Sequence, residues 1–95
     1  MHFIFDGTDK PNALETRIKN RPEHVKFLGT AIDHDITILS GGPRLNEMNQ
    51  MCGSTLMLDA PSREILATWL AQDPYAKANL FEKTRIEGIT MVFGG

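Results

Sequence analysis

The chain has a single cysteine, Cys52, so no intrachain disulfide framework can brace it, which fits a reducing compartment. It has one tryptophan and one tyrosine, and neither Trp69 nor Tyr75 stands among clustered basic residues. Lysine and arginine are spread along the chain, the net charge is -2, and no basic block exists. A groove that tracks a nucleic-acid backbone and stacks its bases needs both features, so a nucleic-acid partner finds no support. No apolar run reaches the about 18 residues that suggest a membrane-spanning helix. The opening MHFIFDGTDK has too short an apolar run for a secretory signal, and no positive region precedes it. No membrane partner is therefore expected, and the expected location is cytoplasmic. G-x-S-x-G, paired-cysteine and His-x-x-x-His patterns are all missing. SGGPR at Ser40 to Arg44 could form a backbone anion nest, but it lacks the lysine and following hydroxyl of a Walker loop, so a turn is expected. No metal or other cofactor is expected.

What is present suffices for one domain, residues 1–95, with one modest core. His2 to Asp6 reads as a strand ended by Gly7. Asp9 is placed to cap a helix beginning near Pro11. Leu14, Ile18, Val25, Leu28 and Ile32 recur near the helical period. Pro22 interrupts them, predicting either two helices or one bent helix. Ile36 to Leu39 reads as a second strand ended by Gly41-Gly42-Pro43, and Arg44 to Cys52 as a hairpin arm or loop. Cys52 to Asp59 is a third strand with Ser54, Leu56 and Leu58 on one face. Ser62 announces a helix with the stripe Ile65, Leu66, Trp69 and Leu70, and Thr84 to Phe93 is the last strand.

The order β-α-β-β-α-β predicts an α+β fold: a four-stranded, mainly antiparallel sheet with its helices on one face. The first and last strands read as apolar on both sides, with Phe3 and Phe5 opposite Ile4. Helices can cover only one side. A homodimer packed sheet to sheet is the expected answer.

Among the ionisable residues, His34 in DHD reads as part of a polar connection. His24 falls at the edge of the helical stripe, where it could be a core-edge residue or an acid–base group. Asp73 before Pro74 has the position of a helix cap. These residues are 49 positions apart, so only the fold can bring them together. Cys52 has no adjacent cation to stabilise a thiolate and reads as a small buried hydrophobe.

RPEH at Arg21 to His24, LSGGP at Leu39 to Pro43, GST at Gly53 to Thr55 and DPYAKANLFE at Asp73 to Glu82 occur in that order. Together they resemble the YciI-like (YCII-related) family over nearly the whole chain. The resemblance implies a ferredoxin-like fold of the dimeric α/β-barrel superfamily, in which two sheets face each other. It also implies an active-site dyad of His24 and Asp73, with Ser54 and the Gly42-Pro43 turn beside it. The chain departs from the family pattern at DHDIT, where a glycine is usual, and in the connection Arg44 to Met51.

The expected function is that of a cofactor-independent lyase or isomerase acting on a small, ring-derived molecule. His24 would move a proton, Asp73 would orient it, and Ser54 with backbone groups near Gly42 would bind an oxygen. Phe3, Phe5 and Tyr75 are expected to line the cleft. The alternatives are a metabolite-binding or sensing module that turns nothing over, and a structural or assembly protein.

Overall fold

The computed structural model describes residues 1–94. Its elements in order are β1 (His2–Asp9), α1 (Leu14–Leu28), a 3-10 turn (Ala31–His34), β2 (Thr37–Leu45), β3 (Met51–Asp59), α2 (Arg63–Leu70), α3 (Pro74–Lys77) and β4 (Phe81–Gly88). All neighbouring strands pair antiparallel, in the order β2-β3-β1-β4. This is the ferredoxin-like arrangement, in which each βαβ unit skips a strand.

The expectation of a barrel is corrected here. β2 and β4 are the two edges of the sheet and each pairs on one side only, so the sheet is open.

The alternation in β1 and β3 decides which face is dry. Phe3 stands opposite Leu58, Phe5 opposite Leu56, and Gly7 opposite Ser54, and all six are buried. α2 closes over this face with Leu66, Trp69 and Leu70, while its Ile65 stays exposed. Ser62 caps α2 by accepting from the Ile65 N–H at 3.1 Å. Trp69 stacks on Phe27 of α1 with ring centroids 4.7 Å apart and donates its indole N–H to Thr30 Oγ1 at 3.0 Å.

The other face is less apolar than the strand pattern predicted. Ile4 and Met57 share it with Asp6, Thr55, Arg44 and Arg85. Asp6 accepts from Thr55 Oγ1 at 2.9 Å and from Arg85 Nε at 3.4 Å, and Arg44 Nε lies 3.0 Å from it.

Several boundaries differ from the sequence reading. β1 runs through Gly7 to Asp9 instead of ending at Gly7, because β3 and β4 pair it along that length, and β4 starts at Phe81 rather than Thr84. β4 ends at Gly88 rather than Phe93. Its partner β1 supplies only Phe3 opposite Gly88 and a last bond from Ile89 N–H to the His2 carbonyl, so no strand is left to pair with. Val92 and Phe93 are consequently 83% and 92% exposed.

β2 runs through Gly41-Gly42-Pro43 instead of stopping there. It is an edge strand, where a proline's missing N–H costs no ladder bond. A register shift between Ile38 and Ser40 and the φ of 154° at Gly41 absorb the irregularity, and a Cβ on Gly41 would lie 2.5 Å from the Thr55 carbonyl.

α1 is one helix with Pro22 inside it. It begins at Leu14 without a side-chain cap, because the carboxylate of Asp9 is engaged by Arg17 instead.

Candidate active site

Beside β2, α1 and the sheet part to leave a cleft of about 260 Å³. One wall is the side of α1 that carries Arg17, Arg21, His24, Val25 and Leu28, positions that fall on one side of a helix. Ser54 and Leu56 of β3 form the floor, and Ile38 and Gly41 to Pro43 of β2 form the opposite rim. Tyr75, the second residue of α3, closes the inner end. The volume suits one substituted ring rather than a nucleotide-sized cofactor.

α3 brings the distant motif to this wall. Asp73 is 3% exposed, and its Oδ1 accepts from the Tyr75 backbone N–H at 2.9 Å, capping the helix. Both its oxygens also lie 2.9 Å from His24 Nδ1. A carboxylate can only accept, so the neutral imidazole carries its proton on Nδ1 and leaves a lone pair on Nε2. The Tyr75 ring stacks on the His24 ring, with centroids 4.0 Å apart and planes 12° from parallel. His24 is thus held by a hydrogen bond in its plane and by a ring against its face.

Arg17 was not singled out from the sequence. It is 1% exposed, donating through Nε and Nη2 to the two oxygens of Asp9 at 2.7 and 2.8 Å. Nη2 also donates to Ser54 Oγ at 2.9 Å. Burial alone would push its pKa down, but the bonds and charge of Asp9 outweigh that and raise it, so the guanidinium stays charged. The signal that could have found it is the spacing 17, 21, 24, 28, which puts three basic residues on one helical face.

Tyr75 is 1% exposed, and its guanidinium neighbour Arg17 lies 4.7 Å from the ring centroid. The phenol hydroxyl is buried with no hydrogen-bond partner among the described residues. Burial raises its pKa by more than the charges of Arg17 and Arg21 lower it, so it remains a neutral donor.

Of the residues singled out from the sequence, the cleft gathers His24, Ser54, Gly42 and Tyr75, with Asp73 directly behind His24. Phe3 and Phe5 do not line it. Their register with Leu58 and Leu56 puts them in the core, where Phe5 meets Phe81 edge to face at 5.9 Å. Cys52 also lies outside the cleft, half-buried. Among the described residues no three His, Cys, Asp or Glu side chains gather as metal ligands.

The YCII-related domain model matches residues 1–90. The chain belongs to this family. It is 26% identical over 98 residues to the Escherichia coli protein YciI, covering 98% of this chain and all of that one. Among solved structures it resembles the 5-chloro-2-hydroxyhydroquinone dehydrochlorinase of Burkholderia phenoliruptrix in complex with 2,5-dihydroxybenzoquinone. That similarity has 30% identity and a TM-score of 0.83 over 95% of this YCII-related chain and 94% of the enzyme. An antibiotic biosynthesis monooxygenase shares the fold alone, at 12% identity and a TM-score of 0.57, over 96% of this chain and 97% of that one.

Proposed function

We propose that this YCII-related protein is a lyase or isomerase that moves a proton on a small ring compound without a cofactor. The observation that carries the reading is the His24–Asp73 contact at 2.9 Å, behind a cleft of ring size. Nε2 of His24 takes a proton from a carbon next to a carbonyl, and the bonding pair moves onto the carbonyl oxygen as an enolate. Asp73 holds the tautomer that makes Nε2 the base and then faces the imidazolium that forms. Arg17, Ser54 and the unpaired Tyr75 hydroxyl supply donors for the oxygen that gains charge. The enolate then either expels a leaving group, giving a lyase, or takes the proton back at another carbon, giving an isomerase. The resemblance at 30% identity to an enzyme named for dehydrochlorination supports the first outcome.

The test is a panel of lactones, chlorinated phenols and keto acids assayed for product by mass. Turnover by the parent that falls at least about 100-fold in His24→Ala supports the reading. Turnover unchanged in that variant would sink it.

Self-association through the open sheet face belongs to the same proposal. Among the described residues no helix covers Ile4 and Met57, and on that face the charges of Asp6, Asp59 and Glu87 balance those of Arg44, Lys83 and Arg85, so two such faces meet without strong net repulsion. A sedimentation mass of one chain at micromolar concentration would refute it.

A further inference from the structure

The charge on the cleft walls is unusual for this chain. Acidic residues outnumber Lys and Arg by 12 to 10, yet the cleft is lined by two arginines, a histidine and no carboxylate. Two of the three basic groups are already matched. Arg17 is paired bidentately with Asp9, and His24 faces Asp73. Arg21 is different. It is exposed, lines the cleft one turn before His24, and has no hydrogen bond or ion pair with any described residue. Among the described residues it is the one uncompensated cation facing the cleft. The rest of the helical wall and the far rim are apolar, with Val25, Leu28 and Ile38.

We infer that the cleft takes a monoanionic ring acid whose carboxylate is read by Arg21, while a neutral oxygen function lies at the Arg17–Ser54 end. This rests on the cleft being the substrate site. One uncompensated positive charge calls for one negative charge on the ligand, and a guanidinium matches a carboxylate as a two-pronged donor. The apolar walls require the rest of the molecule to be carbon-rich, and the volume holds it to a single ring. Arg21 is then a specificity-determining residue. It distinguishes ring acids from neutral rings of the same size, a distinction the His24–Asp73 pair does not make.

The experiment uses two probes of one size, 4-hydroxybenzoate and 4-hydroxybenzyl alcohol, titrated into the parent, Arg21→Gln and Arg21→Lys. Binding is read from the His24 ring resonances and by calorimetry. The expected result is that the parent prefers the acid by about 10-fold or more, that Arg21→Gln reduces this to within about 3-fold, and that Arg21→Lys keeps part of it. Arg21 has no partner to lose, so both variants should melt with the parent. A preference that survives in Arg21→Gln overturns the inference. So does equal binding of both probes to the parent, which leaves the cleft standing as a ring site. If neither probe moves the His24 resonances, the reading of the cleft as the substrate site falls, and this inference falls with it.

Discussion

Asp73 performs two tasks with one carboxylate, and two substitutions should separate them. In Asp73→Asn the side-chain oxygen can still accept from the Tyr75 N–H, since asparagine caps as well as aspartate. The amide nitrogen takes the place of the second oxygen, 2.9 Å from His24 Nδ1, and because it donates, it opposes a proton on Nδ1, while the capping oxygen, also 2.9 Å away, can still accept one. The share of His24 with its proton on Nδ1 therefore falls while the helix start survives. Asp73→Ala loses both. Removing the cap leaves the buried Tyr75 N–H without its acceptor and costs about 1 kcal/mol, and the His24 Nδ1–H loses its acceptor at about 1–3 kcal/mol. The alanine variant should therefore be destabilised by about 2–4 kcal/mol, and the asparagine variant by less than about 1 kcal/mol. For a domain of this size each kcal/mol moves the melting point by about 4–8 °C, so the two variants separate clearly in a thermal melt. The tautomer is read independently from the nitrogen shifts of His24 at a pH where the ring is neutral. If Asn and Ala cost the same stability, or if the Nδ1-protonated share of His24 is the same in Asp73→Asn as in the parent, then the carboxylate does not set the ring and the reasoning fails.

Arg17→Met leaves the buried Asp9 carboxylate without its partner and should cost about 3–5 kcal/mol in urea unfolding; a loss below about 1 kcal/mol would show that water replaces the guanidinium at no cost. Burial raises the pKa of Asp6, but the Thr55 hydrogen bond and the charges of Arg44 and Arg85 outweigh it and lower it below the usual carboxylate value. A lowered folded pKa stabilises above the unfolded value, so this contribution is full at neutral pH and lost as the pH falls below about 4. The urea midpoint of Asp6→Asn should accordingly fall less steeply than the parent's between about pH 5 and 3, and parallel curves would refute the assignment. Cys52→Ser should leave probe binding within about 2-fold, because Cys52 lies outside the cleft; rapid alkylation of Cys52 blocked by a cleft ligand would contradict this.

Much of the framework was legible because it depends on local chemistry. The order of strands and helices followed from apolar periodicity, and Ser62 and Asp73 stand at helix starts where their oxygens accept from backbone N–H groups. What was not legible depends on neighbours far along the chain. The Gly41-Gly42-Pro43 stretch looks like a strand end until β2 is known to be an edge, and β4 looks as if it ends at Phe93 rather than Gly88 until β1 is seen to have no strand left to pair it. The stripe of α1 misled for another reason. Ile18 and Val25 are exposed while Arg17 is buried, because this wall faces a cleft whose floor offers the Ser54 hydroxyl, and Asp9 of β1 awaits the charge. Phe3 and Phe5, expected in the cleft, lie in the core, and only the strand register shows it.

The irregular edge of β2 also governs how this sheet meets other chains. An open sheet invites a foreign strand to add to its free backbone groups, which is a route to aggregation. On β2 that route is obstructed by Pro43, which offers no N–H, and by the shift in register at Ile38 to Ser40, which breaks the even spacing an added strand would need. β4, at the opposite edge, carries Glu82, Lys83, Arg85 and Glu87 within eight residues, and an incoming strand would have to bury or match those charges. The two margins thus resist linear polymerisation by different chemistry, and the side beside Gly42 stays open to small molecules without becoming a template for fibrils.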